Sequence, residues 1–222
     1  MLEPARRSLL FLPRPFRLVG MTNAIFIRHG QSTANIGLPV ESFAGIPLTD
    51  LGQQQARAVA ESLSFTPHRI VVSPYLRTQQ TAAPTIERFP TVAVETWPIH
   101  EFTFWDPAHV PVQGEDELMR AIDHYWTTAD PDVRFGGGAE SFAMFLGRAE
   151  AALDRLQAER NATPIVLFTH GHFMQALRLT VLYPEKSAKE KMQMFRAFDA
   201  ARWVENTEMI SAAFDGKSWN LS

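Results

Sequence analysis

The chain has 222 residues, no cysteine and a formal net charge of −3, and 45% of its residues are hydrophobic. The absence of cysteine excludes a disulfide framework and a thiolate metal site, and the slightly acidic charge argues against a general nucleic-acid-binding surface. No apolar run approaches the ~18 residues of a membrane span, so we expect a globular protein of the cytoplasm without a membrane partner.

The first twenty residues differ in composition from the rest of the chain. They carry four arginines, and their apolar stretch 9–12 is cut short by proline. A secretory signal needs an apolar region of ~7–15 residues, so no signal peptide is predicted. We interpret residues 1–20 as a disordered extension or as the result of a start codon assigned too early, since Met21 directly precedes the first predicted strand. A targeting or docking tail is the alternative. Residues 21–222 are predicted to form one domain.

Strands and helices are predicted to alternate along this domain. Short apolar runs predict buried strands, and apolar residues spaced three or four apart predict helices. In chain order the pattern predicts strand 24–27, helix 51–63, strand 69–72, helix 75–88, strand 92–95, helices 115–128 and 141–160, strand 164–169, a helix to Tyr183, helix 189–198, and a hairpin of 207–214 with 217–221. This order indicates an α/β three-layer sandwich with a mostly parallel central sheet and helices on both faces. Residues 97–138 are irregular and are expected to form a cap segment, with glycines 136–138 as its hinge or as a plain loop.

Basic side chains follow three of the predicted strands. Arg28 and His29 end the first strand, Arg77 follows the second, and His170 ends the last parallel strand. Because ligands of such sheets bind beyond the carboxyl ends of the strands, we expect these four side chains to converge. Two arginines and two histidines form an anion site, and charge-assisted hydrogen bonds of ~1.5–3 kcal/mol each would hold a phosphoryl group there.

The helix after the second strand is predicted to begin at the same edge. Ser73 is expected to be its N-cap and Pro74 its first residue, so that the positive end of the helix faces the anion. Phosphoryl transfer needs mainly charge neutralisation and positioning, and a neutral imidazole can be the nucleophile. Nearby arginines disfavour the imidazolium, so we expect the pKa of His29 to lie below its ordinary value of about 6.5.

The segment 28–32, Arg-His-Gly-Gln-Ser, resembles the signature of the histidine phosphatase superfamily, which includes cofactor-dependent phosphoglycerate mutase. Further segments match that family's pattern in order: 47–52 (Pro-Leu-Thr-Asp-Leu-Gly) with Gln55 and Ala56, 73–82, 138–141 and 169–172. The resemblance covers about residues 24–183. One Arg-His-Gly alone is weak evidence, whereas an ordered set at strand ends is specific. The resemblance implies a phosphoglycerate mutase-like catalytic domain that needs neither a metal nor a cofactor.

The resemblance also implies a role for each matching residue. His29 matches the histidine that becomes phosphorylated. The residues that match the phosphoryl-binding group are Arg28, Asn35, Arg77, His170 and Gly171.

The general acid of the family is a carboxylate after the third strand, which points to Glu101. It would protonate the leaving oxygen and then activate water against the phosphohistidine. Many members continue with a small residue and Trp-Glu-Gly, whereas here Phe-Thr-Phe-Trp and Asp106 follow. Asp106 is therefore an alternative general acid. We interpret Phe102, Phe104 and Trp105 as core residues, with an apolar wall over the substrate as the alternative.

Other candidate residues have simpler interpretations. His170 and His172 flank a glycine, but no acidic cluster accompanies them, so no metal site is predicted and His172 is expected beside the site. Glu140 and Ser141 are predicted to cap a helix. Ordinary packing, or a face for a homodimer, is predicted for Met192, Met194, Phe195 and Phe198.

The chain is therefore predicted to hydrolyse phosphomonoesters through a phosphohistidine on His29, acting on a small-molecule phosphate ester or on a phosphoprotein. One alternative is a phosphoglycerate mutase-type phosphotransferase, which returns the phosphoryl group to the product. Another is a phosphate-binding or docking module without turnover.

Overall fold

The computed structural model describes residues 22–39, 42–105 and 115–222. Its strands are β1 Thr22–Arg28, β2 Arg69–Val72, β3 Val94–Thr96, β4 Ile165–Thr169, β5 Met209–Phe214 and β6 Trp219–Leu221. Its α-helices are α1 Asp50–Ser62, α2 Leu76–Arg88, α3 Glu115–Thr128, α4 Phe142–Gln157, α5 Gly171–Leu182 and α6 Ala188–Ala201, and a 3-10 turn spans Thr33–Ile36. The predicted extension 1–20 and the alternative acid Asp106 lie outside the described residues.

The strands form one mixed sheet in the order β3-β2-β4-β1-β5-β6. The first four of these strands are parallel to one another, and the β5-β6 hairpin joins the sheet antiparallel to β1 at one edge. Every residue of β1 and β4 is buried, which is typical of central parallel strands covered on both faces. The predicted mostly parallel α/β sheet is confirmed.

Alternate residues of the strands supply two apolar cores, one on each face of the sheet. On one face, Phe26 and Leu167 pack with residues of α4, α5 and α6. On the other face, Ile27 and Phe168 pack with Val59 of α1 and with residues of α2. The period of two along each strand thus sends successive side chains to opposite layers, and the three-layer sandwich follows. In the described ranges, no helix has the length and apolar character that crossing a membrane requires.

One helix starts as predicted and another does not. Ser141 is the N-cap of α4, where its Oγ accepts from the backbone N–H of Met144 at 3.2 Å. The predicted helix 75–88 is present as α2, but its predicted cap was wrong, because the N-cap is Tyr75 and the helix begins at Leu76, beyond Ser73 and Pro74. The Ser73 hydroxyl lies instead 2.8 Å from Nε2 of His170, a fully buried ring that needs a polar partner there.

The methionine and phenylalanine pattern of α6 is explained by packing. Met192 and Phe195 are buried in the core, and Met194 and Phe198 pack against it. The interpretation as ordinary packing is confirmed for these four side chains.

Candidate active site

The carboxyl ends of β2, β4 and β1 lie side by side, because these strands are neighbours in the sheet. His29 follows β1, and its backbone N–H donates to the carbonyl oxygen of Thr169 at 3.0 Å. Ser73 follows β2, and its backbone N–H donates to the carbonyl oxygen of Phe168 at 3.1 Å. His170 follows β4, so the rings of the two histidines lie 5.2 Å apart, edge to face. The structure thus brings the predicted histidines together.

The His29 ring is held in one orientation by its two nitrogens. Nδ1 lies 2.7 Å from the carbonyl oxygen of Gly30 and donates to it, so Nε2 carries the lone pair. Arg77 Nε donates to that Nε2 at 3.1 Å. Burial, and then the positive charges of Arg77 and Arg28, lower the pKa of His29 well below 6.5, as the sequence predicted. The neutral imidazole therefore presents an unprotonated nitrogen that can attack phosphorus.

Two buried arginines supply the positive charge of this site. Arg28 and Arg77 are each only 5% exposed. Arg77 Nη1 donates to the carbonyl oxygen of Phe43 at 2.8 Å, and Arg28 Nη1 donates to the carbonyl oxygen of Val204. In the part of the chain that the structure describes, Arg28 Nε is buried without a partner. A buried donor left unpaired costs about 1–3 kcal/mol, so an anion bound here would relieve that cost.

His170 and Gly171 complete the predicted phosphoryl-binding group. His170 is fully buried, and burial together with the charge of Arg77 lowers the pKa of its imidazole well below 6.5. Its Nδ1 has no partner among the described residues. A Cβ on Gly171 would stand 3.4 Å from Arg28 Nε, so the glycine leaves room around the guanidinium. Gly171 therefore lies beside Arg28, and His170 lies beside His29.

Glu101 reaches the same edge of the sheet from the loop after β3. Its Oε1 accepts from the backbone N–H groups of Phe102 and His172, both at 3.1 Å. Its negative charge is the strongest influence that offsets the effect of burial on the pKa of both Arg28 and Arg77. The carboxylate is therefore near enough for its charge to act on both guanidinium groups, and its side chain is 25% exposed. The role of general acid that the resemblance implies for Glu101 stays a prediction.

A buried ion pair holds the segment that carries this glutamate. The predicted capping role of Glu140 was wrong, because its carboxylate pairs with Arg148 through two hydrogen bonds of 2.9 and 2.6 Å. Glu140 Oε1 also accepts from the backbone N–H of Thr103 at 3.0 Å. Arg148 Nη1 donates to the carbonyl oxygens of Pro98 and His100. The pair thereby ties α4 to the loop on both sides of residue 101.

Replacing Arg148 by alanine is expected to lower the free energy of unfolding by about 3 kcal/mol, because Glu140 would remain buried without a countercharge. The kcat/KM for phosphate esters is expected to fall about tenfold, since two carbonyl oxygens of the loop lose the hydrogen bonds that hold it in place. Urea denaturation and steady-state kinetics measure the two effects. Arg196→Ala is the matched control, because its ion pair with Asp123 is exposed on both sides. Equal stability of the two variants would contradict the role given to the ion pair of Glu140 and Arg148.

The segment 47–52 supports the loop after His29 rather than the ligand. Thr49 caps α1, and its backbone N–H donates to the carbonyl oxygen of Gln31 at 2.9 Å. Gln55 Oε1 accepts from the backbone N–H of Gln31 at 2.7 Å. A Cβ on Gly52 would lie 2.0 Å from the Gln31 carbonyl oxygen. Only glycine allows this close approach of two backbones, which explains why the motif accompanies the Arg-His-Gly segment.

Asn35 lies at the edge of the site and not inside it. Its side chain is exposed, and its Oδ1 accepts from the backbone N–H and the hydroxyl of Ser32, both at 3.0 Å. Asn206 connects Asn35 to the site, since its Nδ2 donates to the carbonyl oxygen of His29 at 3.0 Å and lies 3.3 Å from Asn35 Oδ1. Asn206 could not be identified from the sequence, because an asparagine in a loop carries no local signal of this contact.

The aromatic residues after Glu101 divide between the core and the site. Phe102 is buried, and Phe104 packs against the same core, so the interpretation as core is confirmed for these two. Trp105 is only partly buried, and its ring centroid lies 5.7 Å from that of Phe43, whose carbonyl accepts from Arg77. Trp105 and Phe43 therefore form an apolar edge next to the arginine.

Comparison with known proteins decides the family. A sequence model of the histidine phosphatase superfamily (branch 1) matches residues 24–220. The chain belongs to the histidine phosphatase superfamily. It is 25% identical over 215 residues to phosphoglycerate mutase-like protein 4 of Arabidopsis thaliana, covering 89% of this chain and 94% of that protein. It is 22% identical over 179 residues to a metal-independent phosphoserine phosphatase of Arabidopsis thaliana, covering 76% of this chain and 72% of that protein.

A solved structure supports the fold. Phosphoserine phosphatase from Entamoeba histolytica, solved as a mutant in complex with phosphoserine, matches with a TM-score of 0.68 and 21% identity, covering 90% of this chain and 94% of that one. This likeness confirms the predicted α/β architecture. Membership of the superfamily, together with relatives named as phosphatases, supports a phosphatase.

Proposed function

We propose that the protein hydrolyses phosphate monoesters through a phosphohistidine on His29, with Glu101 as the proton donor. The observation that carries this proposal is Nε2 of His29, which accepts from Arg77 Nε at 3.1 Å, with the buried His170 ring 5.2 Å away and the buried Arg28 next in the chain. A nucleophile beside two cations is the arrangement that a phosphoryl group requires.

In the first step the phosphoryl group of the ester binds to Arg28 and Arg77, with His170 on its other side. Its oxygens replace His29 as the acceptor for Arg77, which frees the lone pair on Nε2. His29 Nε2 then forms a bond to phosphorus while the bond from phosphorus to the leaving oxygen breaks. Glu101 transfers its proton to that oxygen. The hydrogen bond from His29 Nδ1 to the carbonyl oxygen of Gly30 holds the imidazole in its orientation during phosphoryl transfer.

In the second step a water molecule attacks the phosphohistidine. Glu101, now a carboxylate, accepts a proton from that water as its oxygen bonds to phosphorus, and the nitrogen–phosphorus bond breaks. Inorganic phosphate leaves, and His29 returns to its neutral form. The lowered pKa of His29 supports both steps, because a neutral imidazole is the nucleophile at the start and a good leaving group at the end.

The substrate class that we propose is a small phosphorylated metabolite, with a phosphoprotein as the alternative. The similarity to a protein named as a metal-independent phosphoserine phosphatase supports this choice. In the described ranges, no group of three or more histidine and acidic side chains is placed to hold a metal ion. The two arginines are the groups that would neutralise the charge of the phosphoryl group.

The full-length protein is expected to release phosphate from p-nitrophenyl phosphate in excess EDTA at the same rate as without chelator. The measurement is a phosphate assay on protein purified in EDTA. Loss of activity that added metal restores would contradict the proposal. Isomerisation of 3-phosphoglycerate in the presence of 2,3-bisphosphoglycerate, faster than phosphate release, would favour the mutase. Phosphate binding without turnover on a broad panel of phosphate esters would favour the binding module.

A further inference from the structure

His172, the second residue of α5, lies between two carboxylates. Its Nδ1 is 3.7 Å from Oε1 of Glu101, and its Nε2 is 3.5 Å from Oδ2 of Asp199 in α6. The position of Asp199 is set in turn by Gln175, whose Nε2 donates to its Oδ1 at 3.1 Å. The edge of the Phe195 ring packs against the imidazole at 5.5 Å between centroids. The imidazole thus connects the proposed proton donor to a second acidic group away from the phosphoryl site.

The charges around His172 come from three elements. Burial by itself lowers its pKa, and the Arg28 cation on β1 acts in the same direction. Glu101 in the loop after β3 and Asp199 on α6 outweigh these effects and raise the pKa above 6.5. His172 therefore retains a proton in a range of pH where His29 and His170 are neutral.

Two backbone groups already hold the Glu101 side chain in place. The backbone N–H groups of Phe102 and His172 both donate to its Oε1, and these contacts do not depend on which side chain stands at position 172. The imidazole is thus not required to position the carboxylate. The imidazole adds a positive charge and a transferable proton. Its distance of 3.7 Å from Glu101 Oε1 allows for this role, because hydrogen bonds between catalytic groups are often long before substrate binds and shorten afterwards.

We propose that His172 acts through Glu101 by storing the proton which Glu101 delivers to the leaving group, with Asp199 holding the imidazole in its charged form. This inference rests on the proposed function. As the leaving oxygen separates from phosphorus, Glu101 protonates it and takes the proton from His172 Nδ1. When water attacks the phosphohistidine, its proton passes through Glu101 back to Nδ1. Over one turnover water is consumed and both groups regain their starting state.

The proposal sets the direction of a pH effect. The pair of Glu101 and His172 is active while it shares one proton, so the rate for esters with poor leaving groups is lost as pH rises through the raised pKa of His172. Without the imidazole, no second group stores the proton that Glu101 delivers. The alkaline limb of kcat/KM is therefore expected to move to lower pH in His172→Gln and, in the same direction, in Asp199→Asn.

The test compares phenyl phosphate, whose leaving group needs a proton, with p-nitrophenyl phosphate, whose leaving group does not. In His172→Gln, kcat/KM for phenyl phosphate is expected to fall about tenfold more than for p-nitrophenyl phosphate. Asp199→Asn should give a smaller difference of the same sign. His124→Gln, which changes an exposed histidine of α3, is expected to behave as the unsubstituted protein with both esters.

Equal losses on the two esters with an unmoved alkaline limb would show a merely structural role and overturn the proposal. Turnover of His172→Gln equal to that of His124→Gln on both esters would also overturn it. Melting curves of the variants show whether each is folded, and Asp199→Asn provides an independent test if His172→Gln does not fold. A failure of the proposed function is recognised separately, because the unsubstituted protein would then show no EDTA-resistant phosphate release.

Discussion

Replacing His29 by alanine is expected to lower kcat/KM for p-nitrophenyl phosphate by about four orders of magnitude, because the substitution removes the atom that bonds to phosphorus. The arginines and His170 would still bind the ester, so KM is expected to change less than kcat. The residual rate would come from electrostatic stabilisation in the pocket. Steady-state phosphate release over a range of substrate concentrations separates the two parameters.

The covalent step has its own measurement. Unsubstituted protein mixed with radiolabelled phosphate ester and quenched in alkali should retain label in an acid-labile nitrogen–phosphorus bond, and the His29 variant should retain none. His68→Ala, which changes an exposed histidine before β2, is the matched control and should keep both the label and the activity. Turnover by the His29 variant at the unsubstituted rate would exclude a phosphohistidine at this position.

Replacing Arg77 by alanine is expected to reduce kcat/KM by about a hundredfold to a thousandfold. This side chain donates to His29 through Nε and to the Phe43 carbonyl through Nη1, so it both orients the nucleophile and places a cation beside the phosphoryl group. Arg77→Lys is expected to recover only part of the loss, because a single ammonium cannot reproduce two donors set in a plane.

Steady-state kinetics and inhibition by inorganic phosphate together test this prediction. The inhibition constant for phosphate should rise in Arg77→Ala along with the loss of rate, since the arginine is proposed to contact both the phosphoryl group of the substrate and free phosphate. Arg57→Ala, at an exposed position of α1, is the control and should change neither quantity. A lysine variant as active as the unsubstituted protein would mean that positive charge alone is sufficient and that the geometry of the guanidinium is not needed.

The order of strands and helices could be predicted because it depends on local periodicity. Strand β2 was predicted with both its ends, since the apolar run of Ile70, Val71 and Val72 stands between polar residues. The hairpin around Asp215 was also predicted, and its turn is closed by a bond from the Asp215 backbone N–H to the Ser218 carbonyl oxygen at 3.2 Å. Such signals involve residues a few positions apart, so the chain itself carries them.

Local rules failed where a distant residue provides a stronger partner. Ser73 has the chemistry of an N-cap, but its hydroxyl pairs with His170, which lies 97 positions later in the chain. Glu140 has the chemistry of a residue near a helix start, but Arg148 and the Thr103 backbone N–H take its carboxylate. In both cases a buried polar group must be satisfied, and that requirement outweighs the capping preference.

The sequence by itself determined the α/β class. It placed Arg28, His29 and His170 at strand ends and Arg77 in the helix that follows a strand. These positions share one edge, because strands in a parallel sheet expose their carboxyl ends along it. Only the tertiary structure decided that β4 lies between β2 and β1, which brings the two histidines into contact. Asn206 reaches His29 from 177 positions away, and no local pattern can predict a hydrogen bond between such distant residues. The surroundings of the proposed proton donor have the same origin, since the groups around Glu101 come from separate elements that meet only when the layers pack.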